Sequence, residues 1–164
     1  MSIRFNADEI LKIAERIEGN ASAFYRKAAD LHPSPHNKDF LYQLAAMEDQ
    51  HAVTFAALRV TLSKAEREET AYDPMDQQAL YLKALADQHG GEGTTPASRL
   101  TGRETMEQLL KLAIELEHKS ILFYGGIRDL VPANLGQDKI DQVIQEEKKH
   151  VVTLSRELNK ARQG

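Results

Sequence analysis

The chain has 164 residues, with 21 Lys and Arg against 25 Asp and Glu, so a formal charge of -4 leaves no basic footprint for nucleic acid or an anionic membrane. Its length suits one compact domain with a sizeable core. The lack of any cysteine excludes disulfides, thiolate zinc sites, iron–sulfur clusters and thiol catalysis, so any metal must sit on His, Asp or Glu.

Apolar residues recur at helical spacing in four long stretches with no strand-like alternation, which predicts an all-α chain. The first helix, residues 6–31, opens on Asn6-Ala7-Asp8-Glu9 and carries Ile10, Ala14, Ile17, Ala21, Phe24 and Ala28 on one stripe before Pro33 and Pro35 end it. A second, residues 37–66, carries Phe40, Leu41, Leu44, Met47, Phe55, Leu58 and Leu62. Residues 67–101 form a crossover holding a short helix, 74–88, which Asp73-Pro74 begins and which carries Leu80, Leu82 and Leu85. His89 to Ser98 is Gly/Pro/Thr-rich and reads as a loop. Thr101-Gly102-Arg103-Glu104 reads as a capping box opening a third helix, 102–131, ended by Pro132, and a fourth spans 137–161. No apolar stretch approaches the roughly 18 residues of a bilayer span, and the N-terminus lacks a secretory layout, so a soluble, cytoplasmic protein is expected.

The two halves match without gaps at an offset of 99 residues. Lys12 falls on Lys111, Phe24-Tyr25 on Phe123-Tyr124, Pro33 on Pro132 and His51 on His150. Glu18 falls on Glu117 and Glu48 on Glu147. Chance similarity between amphipathic hairpins would supply interchangeable Leu, Ala and Lys rather than the same Glu, Tyr, Pro and His in one register, so duplication is the reading. Glu18 lies 15 residues before Pro33 and Glu48 lies 15 after it, which brings both carboxylates to one height on antiparallel helices. Helices about 42 Å long need a returning connection to join two hairpins into one bundle. The crossover is long enough, which points to a ferritin-like four-helix bundle rather than up-down-up-down topology.

Each hairpin's second helix carries Glu-x-x-His, as Glu48/His51 and Glu147/His150, with both side chains on the apolar face. Glu18 and Glu117 also lie on apolar stripes, so four carboxylates point into one core at one depth. An unpaired buried carboxylate costs several kcal/mol, and those stripes carry no Lys or Arg. Two divalent cations would balance four carboxylates, with two neutral imidazoles completing the shells. This is the ligand set of di-iron and di-manganese carboxylate bundles; the alternative is a metal-free bundle.

The chain resembles the rubrerythrin group of the ferritin-like superfamily in Glu18 with Tyr25 seven residues on, Glu48/His51, Glu117 with Tyr124, and Glu147/His150. The resemblance spans all four long helices. It implies two iron ions, manganese or zinc also fitting, with Glu18 and His51 serving one, Glu117 and His150 the other, and Glu48 and Glu147 bridging. It also implies reaction with hydrogen peroxide or dioxygen in oxidative-stress defence, with a ferroxidase or iron-binding module of the ferritin type, or a structural or sensory metal, as alternatives. A homodimer or larger homo-oligomer is expected.

Two departures from that family stand out. Typical members append a rubredoxin domain, whereas this chain ends at Gly164 without cysteine, so a separate rubredoxin-type donor is expected. They also carry an extra Glu one turn beyond the helix-three ligand, where this chain has Ser120, duplicated as Ala21. Tyr25 and Tyr124 lie where a phenol could donate to a carboxylate across the core, or could simply pack there. Glu15, Glu115, His118, Asp49, Glu146, Lys148 and Lys149 are expected to face outward, with His32, His36 and His89 in turns.

Overall fold

The computed structural model describes residues 7–64, 67, 77–88, 95–129, 131, 133 and 136–163. Asn6, Asp73-Pro74, His89 and Pro132 lie outside them. The described elements are α1 (Ala7–Leu31), α2 (Pro35–Thr61), α3 (Gln77–Gln88), a single 3-10 turn (Ala97–Arg99), α4 (Met106–Arg128) and α5 (Gln137–Gln163). Among the described residues there is no strand, and no helix is long and apolar enough to cross a membrane.

The α1 stripe is buried as its spacing requires, from Ile10 through Ala28. Helix α2 starts two residues earlier than expected, because Ser34 is its N-cap and Pro35 occupies the first turn, where a missing N–H costs nothing. It stops at Thr61, where the Leu62 N–H turns back to Arg59 O at 3.2 Å. Met47 does not join its core face, being 42% exposed.

Helix α4 begins at Met106, four residues after the expected start. The Thr101–Glu104 box does form, with Glu104 Oε1 accepting from the Thr101 N–H and hydroxyl at 2.8 Å each, but it closes a turn. Gly102, at φ 83, takes the left-handed conformation and interrupts any helix there. The working cap is a second box, Thr105 with Gln108. On α3, Leu85 is buried and Leu80 exposed, and the helix packs on α4.

Two hairpins, α1–α2 and α4–α5, make the bundle. Tyr25 of α1 bonds Glu117 of α4 while Tyr124 of α4 bonds Glu18 of α1, so α1 and α4 run antiparallel. His51 of α2 meets Glu147 of α5 while Glu48 of α2 meets His150, so α2 and α5 are antiparallel too. Helices α2 and α4 therefore point the same way, which is why the chain must return along the bundle between them. The expected ferritin-like topology is the one observed.

The apolar core falls into two clusters. One gathers Ile10, Ile17, Phe55, Phe123, Ile127 and Val143. The other gathers Phe24, Leu41, Leu44, Leu110, Leu116 and Leu154. Each draws on all four long helices, and the four buried Glu and two buried His stand along the helices between them.

Entry into α5 depends on Gly136, at φ 106, whose carbonyl accepts from Lys139 N and Ile140 N at 3.0 and 3.1 Å. A Cβ there would clash with Leu58 Cδ2. Gly136→Ala should therefore cost about 1–3 kcal/mol through backbone strain and displacement of Leu58. Thermal denaturation reads this directly, and a melting curve matching the native protein's would contradict it.

Candidate metal centre

All six expected ligands converge. Glu18, Glu48, His51, Glu117, Glu147 and His150 are each between 0% and 3% exposed, at the level where the hairpins face each other. Their donor atoms fall into two groups, Glu18/Glu48/His51/Glu147 and Glu48/Glu117/Glu147/His150, each within 4.8 Å. Glu48 and Glu147 belong to both.

His51 Nδ1 stands 2.9 Å from Glu147 Oε1, 3.3 Å from Glu48 Oε2 and 3.7 Å from Glu18 Oε2. His150 Nδ1 mirrors it, at 3.0 Å from Glu147 Oε2, 3.2 Å from Glu48 Oε1 and 3.6 Å from Glu117 Oε1. The two imidazoles stack across the centre, with ring centroids 5.6 Å apart. Among the described residues, Glu48 Oε1, both Glu147 oxygens, both Nδ1 atoms and His150 Nε2 are buried without a hydrogen-bond partner. Buried polar atoms left this way are costly, and here all but one of them face a common point. Two hard or borderline divalent cations, each taking carboxylate oxygens and one Nδ1, would satisfy every one of them except His150 Nε2. The donor set thus fits a dinuclear metal centre.

The electrostatics are those of a site that holds protons when it does not hold cations. Burial, with the charges of Glu147 and Glu48, lifts Glu18 well above the usual carboxylate range, and burial with Glu48 and Glu147 does the same to Glu117. For the imidazoles burial works downward, but three carboxylates facing each ring override it. His51 is raised strongly, by Glu147, Glu18 and Glu48, and His150 to about 12, by Glu117, Glu147 and Glu48. Glu147 goes the other way, to about 2, since the imidazoles of His150 and His51 close beside it outweigh its burial.

The tyrosines do more than pack. Tyr25 OH donates to Glu117 and Tyr124 OH to Glu18, so each hairpin's phenol holds the other's outer carboxylate. Burial and the nearby carboxylates raise both phenols well above their ordinary range, which keeps them as donors. Ser120 is buried one turn from Glu117.

Among the residues expected to face outward, Glu115, His118, Asp49, Lys148 and Lys149 do so. Glu15 pairs with Arg59 at 2.8 Å, and His32 Nδ1 accepts from Ser34 N at 3.3 Å. Glu146 is different: its Oε2 lies 2.8 Å from His51 Nε2, on the side of the ring away from the centre. Lying next to Glu147, it points off the ligand face of its own helix and meets a ring carried by α2. The sequence signal that could have found it is a mismatch in the repeat, since position 47, its duplicate, is Met.

No family model matches the chain, and no curated protein matches it. A crystal structure from Thermotoga maritima at 2.30 Å resolution, of a protein assigned as ferritin-like diiron-carboxylate, has the same fold at a TM-score of 0.72, with 21% identity over 98% of this chain and 99% of that one.

Protons on His51, His150, Glu18 and Glu117 must leave before a divalent cation takes their place, so apparent metal affinity should fall as pH is lowered and binding should release protons. Calorimetric titration with Mn²⁺ in buffers of different ionisation enthalpy measures both, and an affinity constant between about pH 6 and 8 would contradict the competition. Because Glu48 and Glu147 face both groups, Glu48→Ala or Glu147→Ala should lose about twice the metal lost by Glu18→Ala. Elemental analysis tests the ordering, and equal losses would argue against shared carboxylates.

Proposed function

We propose that the centre holds two iron ions and that the protein is a non-haem di-iron oxidoreductase reducing hydrogen peroxide or dioxygen, of the rubrerythrin type and serving oxidative-stress defence. The observation that supports it is the pair of overlapping Glu₃His groups sharing Glu48 and Glu147 at the buried waist of a ferritin-like bundle. The neighbour from Thermotoga maritima, assigned as diiron-carboxylate, supports the same reading. Iron bound there would supply one-electron steps between its +2 and +3 states, for which a mixed carboxylate and imidazole set is suited. Glu18 and His51 would hold one ion, Glu117 and His150 the other, with Glu48 and Glu147 between them.

The remaining roles fall to the chain itself. Tyr124 and Tyr25 fix the outer carboxylates by hydrogen bonds and keep a proton beside each of them. Aromatic and aliphatic side chains on both sides of the centre, Phe55 and Phe123 toward one end and Phe24 and Leu44 toward the other, exclude bulk water. The 164 residues carry no cysteine for a rubredoxin-type centre of their own, and a rubredoxin-type donor would supply the electrons for repeated turnover. A ferroxidase of the ferritin type is the second reading, supported by the same donor set on the same fold.

Stopped-flow mixing of the anaerobic, ferrous-loaded protein with each oxidant separates the two. The first reading expects faster oxidation by peroxide than by dioxygen and little consumption of free ferrous iron. Faster oxidation by dioxygen, with ferrous iron consumed in many-fold excess over protein, would replace it with the second.

A further inference from the structure

The duplication makes the two ligand groups alike, and one contact sets them apart. His51 Nε2 is bonded to Glu146 Oε2 at 2.8 Å, whereas His150 Nε2 is buried with no hydrogen-bond partner among the described residues. The repeat explains the difference, because the position that duplicates Glu146 is Met47, whose thioether is at best a weak acceptor and whose side chain is 42% exposed. We propose that Glu146 is a positioning residue that makes the metal centre intrinsically unequal, so that the Glu18/His51 subsite binds its cation more tightly and fills before the Glu117/His150 subsite. This rests on the centre binding two metals.

The physical basis is the hydrogen bond on the far side of the ring. A carboxylate accepting from Nε2 keeps the proton on that nitrogen, leaves the Nδ1 lone pair toward Glu18, Glu48 and Glu147, and makes the imidazole a stronger donor to a cation. It also fixes the plane of the ring between α2 and α5. His150 has the same inward contacts through Nδ1 but no described partner at Nε2 to hold a proton there. Removing such a bond from a metal-ligating His typically lowers affinity by about 10–100-fold, and a difference of that order is expected between the subsites. Glu146 is in reach of solvent as well, its side chain 35% exposed and lining a cleft of about 530 Å³ with His51, Thr54, Leu58, Lys139 and Val143.

Mn²⁺ added at one equivalent per chain, followed by anomalous diffraction, reads the occupancy of each subsite directly. Because the two sites share one equivalent, a difference in affinity of about 10–100-fold should appear as about three- to tenfold more Mn²⁺ beside His51 than beside His150. Glu146→Ala should remove most of that preference and weaken the first binding event by about 10–100-fold in calorimetry, while Glu146→Gln, which keeps an acceptor without the charge, should restore part of it. Met47→Glu places a carboxylate at the duplicate position and should raise occupancy beside His150. Equal occupancies in the native protein, or a preference unchanged in Glu146→Ala, would overturn the proposal while leaving a dinuclear centre intact. No bound Mn²⁺ in either subsite at saturation would overturn the metal reading and the proposal with it.

Discussion

The structure is organised by the burial of four carboxylates at one level of a helical bundle. An ionised carboxylate in an apolar interior costs several kcal/mol unless its charge is met, and four within a few ångströms of one another raise that cost further through mutual repulsion. Everything around Glu18, Glu48, Glu117 and Glu147 answers that problem. The imidazoles of His51 and His150 lie between carboxylates of different helices, the phenols of Tyr25 and Tyr124 cap the outer pair, and the described residues of the core place no Lys or Arg there. Divided in this way, the apolar core works as two seals on either side of a polar waist.

Much of this was legible in the sequence, for a physical reason. A duplication preserves register, so the match of Glu18 with Glu117 and Glu48/His51 with Glu147/His150 placed six polar residues on apolar stripes, the four Glu at equal distance from the hairpin turns and the two His one turn further. Helical periodicity then fixed their direction, and the antiparallel hairpin fixed their height. The crossover followed from helix length alone.

What escaped the sequence was decided elsewhere. Thr101–Glu104 has the letters of a capping box, but Gly102 in the left-handed region turns the chain out of the helix, and Thr105 with Gln108 does the capping. Met47 fits the apolar rhythm of α2 and yet sits at its edge, because the stripe is wider than the seam its neighbours can cover. Glu146 looked like a surface charge since, on its own helix, it is one. Its partner belongs to α2, so only the packing of α2 against α5 brings His51 within 2.8 Å.

Duplication also explains how the six buried Glu and His side chains can be rigid without any one helix being so. Each outer carboxylate is held by a phenol from the opposite hairpin, and each imidazole faces carboxylates from both. A shift of one hairpin against the other would strain both tyrosine bonds together, so the separation of the buried Glu and His side chains is set by the packing of the whole bundle. That coupling leaves little room for change among the six side chains, where a substitution on one helix disturbs contacts on the other three. The positions beside them are freer, since Glu146 and Met47 touch the centre only through the outer edge of a ring, or not at all. Such positions are where two halves that began alike can become different while the centre they share stays intact.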